Sequence, residues 1–508
     1  MALNLLTSVL LLIITSLVFL LITSQRSSKT KGSSSSYPSS NAVLPKCYPI
    51  VGSFFSFQAN KNQLLQWVTK ILQNIPSATF TLHRLGGQVS IFTANPANVQ
   101  HILKTNFNNY PKGAGFGTTL SDFLGHGIFN IDGEQWKFQR QISSHEFNTK
   151  TLRKFVETVV ETELSDRLIP ILEKAAADKQ VLDFQDVLQR FAFDNICRIA
   201  FGYDPEYLFP SFPKAKFAQA FDECVKISSE RFPSPLPIIW KAKRLLNIGS
   251  ERRLKLAISE VKEFSKNIIK EKKQNPDESM DLLTRFLSSG KYDDDFVTDI
   301  VISFTLAGRD TTSAALTWFF MLISKHPEAE KEILNEIKEK SDTPVYEDIK
   351  DMVYTHASLC ESMRFYPPVP VDSKVAENDD VLPDGTIVKK GMRVAYHPYA
   401  MGRMEKLWGK DWSEFKPERW LKREEDGSWS FVGRDSYTYP VFQAGPRICL
   451  GKEMAFLQMK RVVSGVLKRF KVVPVIQETV EPEFVAHLTA KMKGGFPVRI
   501  EERNDFKL

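Results

Sequence analysis

Near its C-terminal end the chain contains the sequence Phe442-Gln-Ala-Gly445-Pro-Arg447-Ile-Cys449-Leu-Gly451. Glycine tolerates positive φ and has no side chain, so the two glycines let the backbone pass close to the cysteine sulfur. Phe442 can cover the loop, and Arg447 can meet an anionic group. A helix that starts after Cys449 would point its N–H groups toward the negative charge of a thiolate. The segment therefore suits a cysteine that binds a metal as a shielded thiolate.

The pattern F-x-x-G-x-R-x-C-x-G resembles the haem-binding loop of the cytochrome P-450 family. The resemblance implies that Cys449 is the axial ligand of a haem b iron, that Arg447 meets a haem propionate, and that Phe442, Gly445 and Gly451 complete the haem-binding loop. It also implies the fold of the family, which is mainly α with small β-sheets. The alternative for an isolated cysteine is a small buried residue in a glycine-containing turn, but the specificity of the pattern argues against it.

A second motif lies upstream, where Glu361 and Arg364 are three positions apart. Residues at i and i+3 share one helix face. Arg419, in the segment Phe415–Trp420, could also contact the carboxylate, in a bidentate manner. The resemblance assigns Glu361, Arg364 and Arg419 to a structural trio behind the haem and not to catalysis. The segment departs from the family in having Trp420 where Phe is common.

A mostly apolar run from Phe296 to Ile323 is long enough for a central helix. It contains Ala-Gly-Arg-Asp-Thr-Thr at 307–312, where the glycine is costly to a helix and threonine is a weak helix former. A local loosening of the helix would account for both. By the resemblance, Thr311 holds a hydrogen-bond network at bound dioxygen and Asp310 helps to relay protons. Without the resemblance, the pair would be interpreted as a solvent-facing Asp beside a self-capping Thr.

A further pair of residues, Trp136 and Arg140, lies four positions apart and therefore on one helix face. It resembles the W-x-x-x-R segment of the family, in which the indole N–H and the guanidinium reach a haem propionate. A Trp packed beside an Arg on a surface helix is common, so the pair alone is weak support. Its position upstream of the central helix agrees with the order of motifs in the family.

The start of the chain predicts a membrane anchor. Residues 2–24 carry no charged side chain and are long enough to cross a bilayer as a helix, and basic residues follow them. We therefore expect a transmembrane signal anchor at 1–25, a flexible Ser-rich tether at 26–43 and one catalytic domain at 44–508. That domain would face the cytosol from the endoplasmic reticulum membrane. A cleaved signal peptide is the alternative, although its charges usually precede a shorter apolar run.

The composition limits the class of protein further. Hydrophobic residues make up 43% and charged residues 25% of the 508 residues, which is typical of a chain that mostly folds in water. The net charge of +7 is modest, and no basic stretch is interleaved with aromatics, so nucleic-acid binding is not expected. The five cysteines include no C-x-x-C pair, which argues against a zinc site or a disulfide framework and favours a reducing compartment.

Helical periodicity dominates from about Asn62 onward, and the chain has no internal repeat. One mainly helical domain with small sheets is therefore expected. We interpret the glycines between Gly113 and Gly117 as part of a loop over the distal pocket, because they lack the spacing of a dinucleotide-binding turn. The predicted strands are short and lie at residues 79–82, 89–92, 387–389, 393–396 and 498–501.

Two stretches, Pro367–Ser373 and His397–Glu405, resemble a plant microsomal branch of the family that includes fatty-acid ω-hydroxylases. This resemblance implies hydroxylation of a free fatty acid at or near its methyl end. Hydroxylation of jasmonoyl-amino acid conjugates or of steroid side chains is an alternative. A haem-thiolate hydroperoxide isomerase and a haem-free membrane-tethered binding protein are alternatives from other classes. The resemblance suggests four apolar pocket residues, each equally compatible with core packing: Phe116, Val369, Val371 and Leu488.

The chain has no flavin or nicotinamide fingerprint of its own. The resemblance therefore implies an NADPH-dependent flavoprotein reductase as a partner, together with membrane lipid, a small apolar substrate and dioxygen. Part of a basic docking face for the reductase could be formed by Lys137, Lys452, Lys460 and Arg461, with ordinary solvated side chains as the alternative. The segment 207–246 is rich in aromatics and proline and predicts either packing between helices or a membrane-dipping substrate entrance.

Overall fold

The computed structural model describes residues 44–147, 150–209, 216–234, 236–274, 281–288, 293–338, 340, 344–475 and 482–503. The predicted anchor at 1–25 and the predicted tether at 26–43 lie outside these ranges. Within the ranges that are described, no helix is both long enough and apolar enough to cross a membrane.

Helices dominate the described chain, which confirms the prediction of a mainly α fold. The helix expected after Asn62 begins at Leu64, and its apolar residues at three-and-four spacing are buried on one face. The α-helices are α1 (Phe54–Ala59), α2 (Leu64–Asn74), α3 (Pro96–Gln100), α4 (Ala114–Leu124), α5 (Gly133–Phe147), α6 (Lys150–Glu163), α7 (Ile169–Ala177), α8 (Phe184–Phe201), α9 (Lys216–Glu230), α10 (Pro237–Leu246), α11 (Gly249–Gln274), α12 (Leu282–Ser288), α13 (Asp294–Thr305), α14 (Thr311–Lys325), α15 (Pro327–Lys338), α16 (Tyr346–Lys350), α17 (Val353–Phe365), α18 (Pro398–Met401), α19 (Glu405–Trp408) and α20 (Lys452–Arg469).

The strands are short, as predicted. They are β1 (Thr79–His83), β2 (Val89–Thr93), β3 (Val181–Asp183), β4 (Asp372–Val375), β5 (Asp380–Val381), β6 (Ile387–Val388), β7 (Arg393–Tyr396), β8 (Leu421–Arg423), β9 (Trp429–Phe431), β10 (Phe470–Pro474), β11 (Phe484–Ala486), β12 (Ala490–Met492) and β13 (Pro497–Glu502). The five predicted strands correspond to β1, β2, β6, β7 and β13.

The largest sheet has four strands in the order β1-β2-β7-β4. β2 pairs antiparallel with β1 and parallel with β7. Parallel neighbours require a long connection, and here the intervening chain holds most of the helical body. The sheet therefore brings the beginning of the described chain against residues that lie some three hundred positions later.

The central helix consists of α13 and α14, joined by a π-helical turn at Leu306–Asp310. This wider turn is the local loosening that the sequence predicts. Gly308 lies within it, and a Cβ there would come within 2.5 Å of the Ile196 side chain on α8. The glycine thus permits the close approach of two helices. On α14, Trp318 and Phe319 are fully buried, which places the helix in the core.

The interpretation of Gly113–Gly117 as a loop is wrong, because α4 begins at Ala114. The Asp132 carboxylate accepts hydrogen bonds from the backbone N–H groups of Lys112 and Gly113, at 3.0 and 3.1 Å, and so fixes the entry into the helix. Leu120 and Phe123 are buried further along α4. These distant contacts stabilise a helix where the local sequence, with its glycines, disfavours one.

Candidate active site

A cavity of about 2130 Å³ lies inside the helical body, and Cys449 forms part of its wall. The central helix contributes Thr311, and the four-stranded sheet contributes Arg393. Pockets for one drug-sized ligand have volumes of about 300–1,000 Å³, so this cavity has room for a cofactor and a substrate together. The four residues predicted for the substrate pocket all line it: Phe116, Val369, Val371 and Leu488.

The loop that carries Cys449 is held by backbone geometry. Gly445 has a φ of +64°, and a Cβ at this position would lie 2.0 Å from the carbonyl oxygen of Leu103, so only glycine fits. The Cys449 N–H donates to the Phe442 carbonyl at 2.8 Å. The Phe442 ring packs with its centroid 5.2 Å from that of Phe456 on α20. The loop therefore fixes the direction of the cysteine side chain.

Cys449 is exposed and lines the cavity. Burial raises the pKa of this thiol. A hydrogen bond from the Gly451 backbone and the positive charges of Arg140 and Lys452 oppose that rise. These groups stabilise the thiolate, which is the form that binds a metal.

The three residues predicted to meet haem propionates lie on the same wall. Arg447 packs over the Trp136 ring, with its guanidinium carbon 4.2 Å from the ring centroid. It also donates to Asp132 Oδ1 at 2.7 Å. Arg140 lines the cavity, and no carboxylate of the described residues pairs with it. Positive charge is therefore available next to the cysteine.

This donor set fits a haem. A thiol that faces a large cavity can ligate iron, and the Arg140 and Arg447 guanidiniums can bind anionic propionates. The Gly445 turn and the backbone bond from Cys449 to Phe442 hold the loop in a fixed conformation around the cysteine. A buried cysteine in an ordinary turn, the alternative from the sequence, would not face such a cavity.

Thr311 and Asp310 occupy different environments. Thr311 lines the cavity, and its hydroxyl donates to the Ala307 carbonyl across the π turn at 2.5 Å. The Asp310 side chain is buried, accepts from Arg309 at 3.0 Å and accepts from the Thr489 hydroxyl at 3.4 Å. A solvent-facing Asp310, the alternative from the sequence, is thus wrong.

Arg309 lies on the same turn as Asp310 and also pairs with Asp222 of α9 at 2.8 Å. Burial lowers the pKa of its guanidinium, but the Asp222 and Asp310 carboxylates outweigh this effect and raise the pKa overall. Arg309 therefore stays charged and ties the central helix to α9. This link could not be predicted from the sequence, because nothing local marks Asp222.

The structural trio is assembled as the resemblance implies. Arg364 makes a bidentate contact with Glu361 at 2.8 Å from two nitrogens, and Arg419 Nε donates to Glu361 Oε1 at 3.2 Å. The Trp420 indole N–H donates to Glu361 Oε2 at 3.0 Å. The departure from Phe at position 420 therefore adds a hydrogen bond to a fully buried carboxylate.

A second buried network connects the sheet to the cysteine loop. The Asp372 carboxylate accepts from Lys112 and Lys374, both at 3.0 Å, from the Tyr396 hydroxyl at 2.8 Å and from Gln443 at 3.0 Å. Burial raises the pKa of Asp372, but the two lysines outweigh it and hold the pKa well below its ordinary value. Burial lowers the pKa of Lys374 to about 7.

No motif in the sequence marks this network. Asp372 lies in the stretch Pro367–Ser373, which also holds the predicted pocket residues Val369 and Val371. A charged residue within an otherwise apolar, proline-rich stretch was the available signal, since a buried charge requires partners.

Two members of the expected basic face are buried, so that part of the prediction is wrong. Lys460 donates to the carbonyls of Ile349 and Lys350, each at 3.1 Å, and Arg461 pairs with Glu161. Lys137 and Lys452 are exposed. Their side chains alone remain available for a docking face.

The fold and the cysteine site define a haem-thiolate protein. The cytochrome P-450 family model matches residues 43–495. Cytochrome P-450 94A2 of Vicia sativa is 64% identical over 486 residues, covering 94% of this chain and 95% of the relative. Cytochrome P-450 94A1 of the same plant is 61% identical, covering 91% of each chain, and cytochrome P-450 94B1 of Arabidopsis thaliana is 50% identical, covering 90% and 91%. The chain belongs to the cytochrome P-450 family.

Membership of this family gives the class of reaction. The protein is a monooxygenase that uses haem b, with electrons supplied from NADPH through a partner reductase. This reaction class excludes the two alternatives from other classes, a hydroperoxide isomerase and a haem-free binding protein. The relatives are plant proteins of the 94 group, in agreement with the plant branch expected from the sequence.

Proposed function

We propose that this monooxygenase hydroxylates a free fatty acid at or near its ω carbon. The observation that supports the proposal is the cavity, in which Cys449 and the apolar side chains of Phe116, Val369 and Leu488 line one continuous space. An acyl chain is recognised by apolar surface along its length, because each buried methylene contributes about 0.8 kcal/mol. The resemblance of Pro367–Ser373 to the ω-hydroxylase branch favours the same substrate class.

Cys449 would ligate the haem iron, while Arg447, Arg140 and Trp136 would hold the propionates. When bound, a haem with a thiolate ligand supplies activation of dioxygen and oxidation of an unactivated C–H bond. The contacts among Glu361, Arg364 and Arg419 would stabilise the part of the protein that lies behind the haem. Phe442 would cover the loop and exclude water from the sulfur.

Thr311 would act in the cavity as a hydrogen-bond donor to dioxygen. Its hydroxyl donates to Ala307, and rotation about one side-chain bond would redirect it. Asp310 would supply protons to this hydroxyl network from its position on the same turn. Asp310 contacts Arg309 and Thr489, so a proton would reach the cavity by way of the Thr489 hydroxyl, which lines it.

The catalytic domain at 44–508 would be held on the cytosolic face of the endoplasmic reticulum by the anchor at 1–25 and the tether at 26–43. Helix α10 supports a membrane-facing entrance, since Ile238, Leu245 and Leu246 are each at least 65% exposed. Basic residues lie on the same helix, as is typical of a helix at the bilayer surface. Other aromatic residues of 207–246, such as Phe221, are buried, so packing between helices accounts for part of the segment.

The partner reductase would dock near the cysteine side of the haem, where Lys137 and Lys452 are exposed. Two lysines provide a weak electrostatic attraction that salt would screen. The other partners would be membrane lipid, dioxygen and the apolar substrate.

The test is turnover in microsomes that contain the full chain and a reductase. NADPH would be supplied together with lauric, oleic and linoleic acids, jasmonoyl-isoleucine and cholesterol, and products would be located by mass spectrometry. We expect terminal or near-terminal hydroxylation of the fatty acids. Oxidation of jasmonoyl-isoleucine or cholesterol alone would contradict the proposed substrate and leave the monooxygenase class unchanged.

A further inference from the structure

Two arginines in the sheet wall of the cavity have no carboxylate partner among the residues that the structure describes. Arg84 follows β1, and Arg393 begins β7. Both line the same cavity as Cys449. Among the described residues, no Asp or Glu lies within ion-pair distance of either guanidinium. Unpaired charges in a protein interior are costly, so a ligand that neutralises them is the expected explanation.

The register of the sheet brings the two arginines to one face. Leu82 of β1 pairs with Ser90 of β2, and Ser90 pairs with Arg393 of β7. Side chains in one such row point to the same side of a sheet, and Arg84 lies two residues after Leu82. Leu82 and Ser90 also line the cavity. The pairing therefore directs both guanidiniums to the cavity side.

Contacts with the connection between α9 and α10 fix the same arrangement. Arg84 Nη2 donates to the carbonyl oxygens of Phe232 and Ser234, at 3.3 and 3.1 Å. The Arg393 guanidinium carbon lies 5.6 Å from the centroid of the Phe232 ring. Both guanidiniums thus converge on Phe232. The Phe232 ring in turn lies 5.3 Å from that of Phe116, so an apolar wall leads up to the two charges.

The charges are close enough to affect each other. Burial, together with the positive charge of the nearby Arg84, lowers the pKa of Arg393 to about 10, although the Asp372 carboxylate opposes the change. Burial also lowers the pKa of Arg84. Asp372 is already bound by Lys112 and Lys374 and leaves Arg393 without a direct partner.

Donors for an anion remain on both residues. A guanidinium carries five N–H groups in a planar fork that matches a carboxylate. One nitrogen of Arg84 contacts the two carbonyls, and the contact of Arg393 with the Phe232 ring neutralises no charge.

We propose that Arg84 and Arg393 together bind the carboxylate of the substrate and thereby fix which end of the acyl chain is kept away from Cys449. This proposal rests on the proposed function and adds a specific recognition site to it. The carboxylate ends the chain at the sheet wall, and the methyl end is left to lie in the rest of the cavity. The site would accept a free acid and discriminate against a sterol, which has no carboxylate.

The experiment compares an acid with its ester in the full-length haem enzyme. The probes are laurate and methyl laurate, and dissociation constants are measured from the substrate-induced change in the haem spectrum. We expect the wild type to bind laurate more tightly. In the double variant Arg84→Gln/Arg393→Gln, laurate binding should weaken by about tenfold to a hundredfold, while methyl laurate binding should not change. The ω share of the products from laurate should fall, because the chain is no longer fixed at one end.

Two control variants separate the site from general electrostatics. Lys61 also lines the cavity but is exposed, and Lys61→Gln should leave the preference for laurate intact. Arg393→Lys keeps the charge without the planar fork and should fall between the wild type and Arg393→Gln. An equal loss in Lys61→Gln would overturn the proposal.

The outcomes distinguish the proposed carboxylate site from a haem-propionate site and from failure of the proposed function. An unchanged ratio of laurate to methyl laurate affinity in the double variant overturns the proposed site. A loss of bound haem in the double variant, measured as haem per protein, would mean that the arginines serve a propionate, and it also overturns the proposal. If the wild type oxidises no fatty acid, the proposed function fails. The two arginines are then tested with jasmonoyl-isoleucine and its methyl ester, where an unchanged ratio overturns the proposed site and a changed one supports it.

Discussion

The region around Glu361 and the sheet wall of the cavity both contain arginines that are buried or partly buried, but their charges are balanced in different ways. The Glu361 carboxylate is contacted by Arg364, Arg419 and the Trp420 indole, so the protein itself supplies every partner. Arg84 and Arg393 have no such carboxylate within the described part of the chain. The first region is complete in the protein alone, whereas the second is complete only with an anionic ligand. Scaffold and recognition can therefore be distinguished by whether a buried charge is satisfied internally.

The largest effect is expected at Cys449, which lies in the cavity wall outside both regions. Cys449→Ser should abolish hydroxylation, because the alcohol does not provide a thiolate ligand. The reduced, carbon-monoxide-bound spectrum should lose the band characteristic of thiolate ligation. Cys47→Ser is the matched control, since Cys47 is exposed and remote from the cavity lining. Normal hydroxylation by Cys449→Ser would contradict the assignment.

The next largest effect is a loss of stability on substitution of Glu361, whose charge is balanced by partners within the protein. Glu361→Gln should lower the free energy of unfolding by about 3–5 kcal/mol, because it leaves Arg364 as a buried charge without its carboxylate, while Arg419 keeps its ion pair with Asp411. Chemical denaturation of the haem-loaded protein measures the change.

The control for this substitution lies one residue further along α17. The Ser362 hydroxyl is buried and has no hydrogen-bond partner among the described residues. Ser362→Ala should therefore be nearly neutral. The double variant Arg84→Gln/Arg393→Gln should also retain the stability of the wild type. A large loss of stability in this double variant would show that Arg84 and Arg393 belong to the scaffold, as the Glu361 region does, and would contradict the distinction between the two regions.

The next prediction concerns Thr311, which lies on the central helix and lines the cavity. Thr311→Ala removes a hydroxyl that lines the cavity, and product formed per NADPH consumed should fall by about tenfold, the value of one hydrogen bond. The haem content should not change. Thr311→Ser keeps the hydroxyl and should restore most of the product yield. Equal yields from Thr311→Ala and the wild type would show that the hydroxyl has no part in the reaction.

The smallest effect is a pH dependence of stability. Burial, together with the positive charges of Lys460 and Lys452, lowers the pKa of His356 from 6.5 to about 3. Because the unfolded state binds a proton more readily, stability is full above the unfolded pKa and falls as the pH drops below it. Between about pH 7.5 and about pH 5.5 the loss from this residue is about 1.4 kcal/mol.

Substitution isolates this contribution. His356 stacks on Phe456 at 4.0 Å and meets Phe431 edge-on at 4.4 Å, so His356→Phe preserves the aromatic packing. The variant should lose less stability than the wild type on acidification. Thermal unfolding at the two pH values measures the difference. Substitution of the exposed His83 by Gln should leave the wild-type dependence unchanged.

The sequence predicted the features that are encoded locally. The Cys449 loop, the Glu361 motif and the irregular turn near Gly308 each depend on residues within a few positions of one another, and the geometry of each could be argued from them. The helix at Ala114 was missed, because its stability depends on Asp132 and on core contacts that local propensity does not contain. The burial of Lys460 was missed for the same reason.

The recognition site could not be predicted from the sequence. Arg84 and Arg393 are about three hundred residues apart and become neighbours only through the parallel pairing of β2 with β7. No spacing rule connects them. Their significance depends equally on the absence of a nearby carboxylate, which only the assembled fold shows.

The π turn at Leu306–Asp310 also constrains how this gene can change. A wider turn holds one residue more than an α-helix would need over the same length, and consecutive helical residues are rotated by about 100°. Deleting one codon within the turn would allow α13 and α14 to merge into one continuous helix. Because the deletion removes the extra residue, the faces of α13 and α14 would keep their phase, but the wide turn around Gly308, directly before Thr311, would be lost. Insertions and deletions should therefore be tolerated in the surface connections and rejected in this turn.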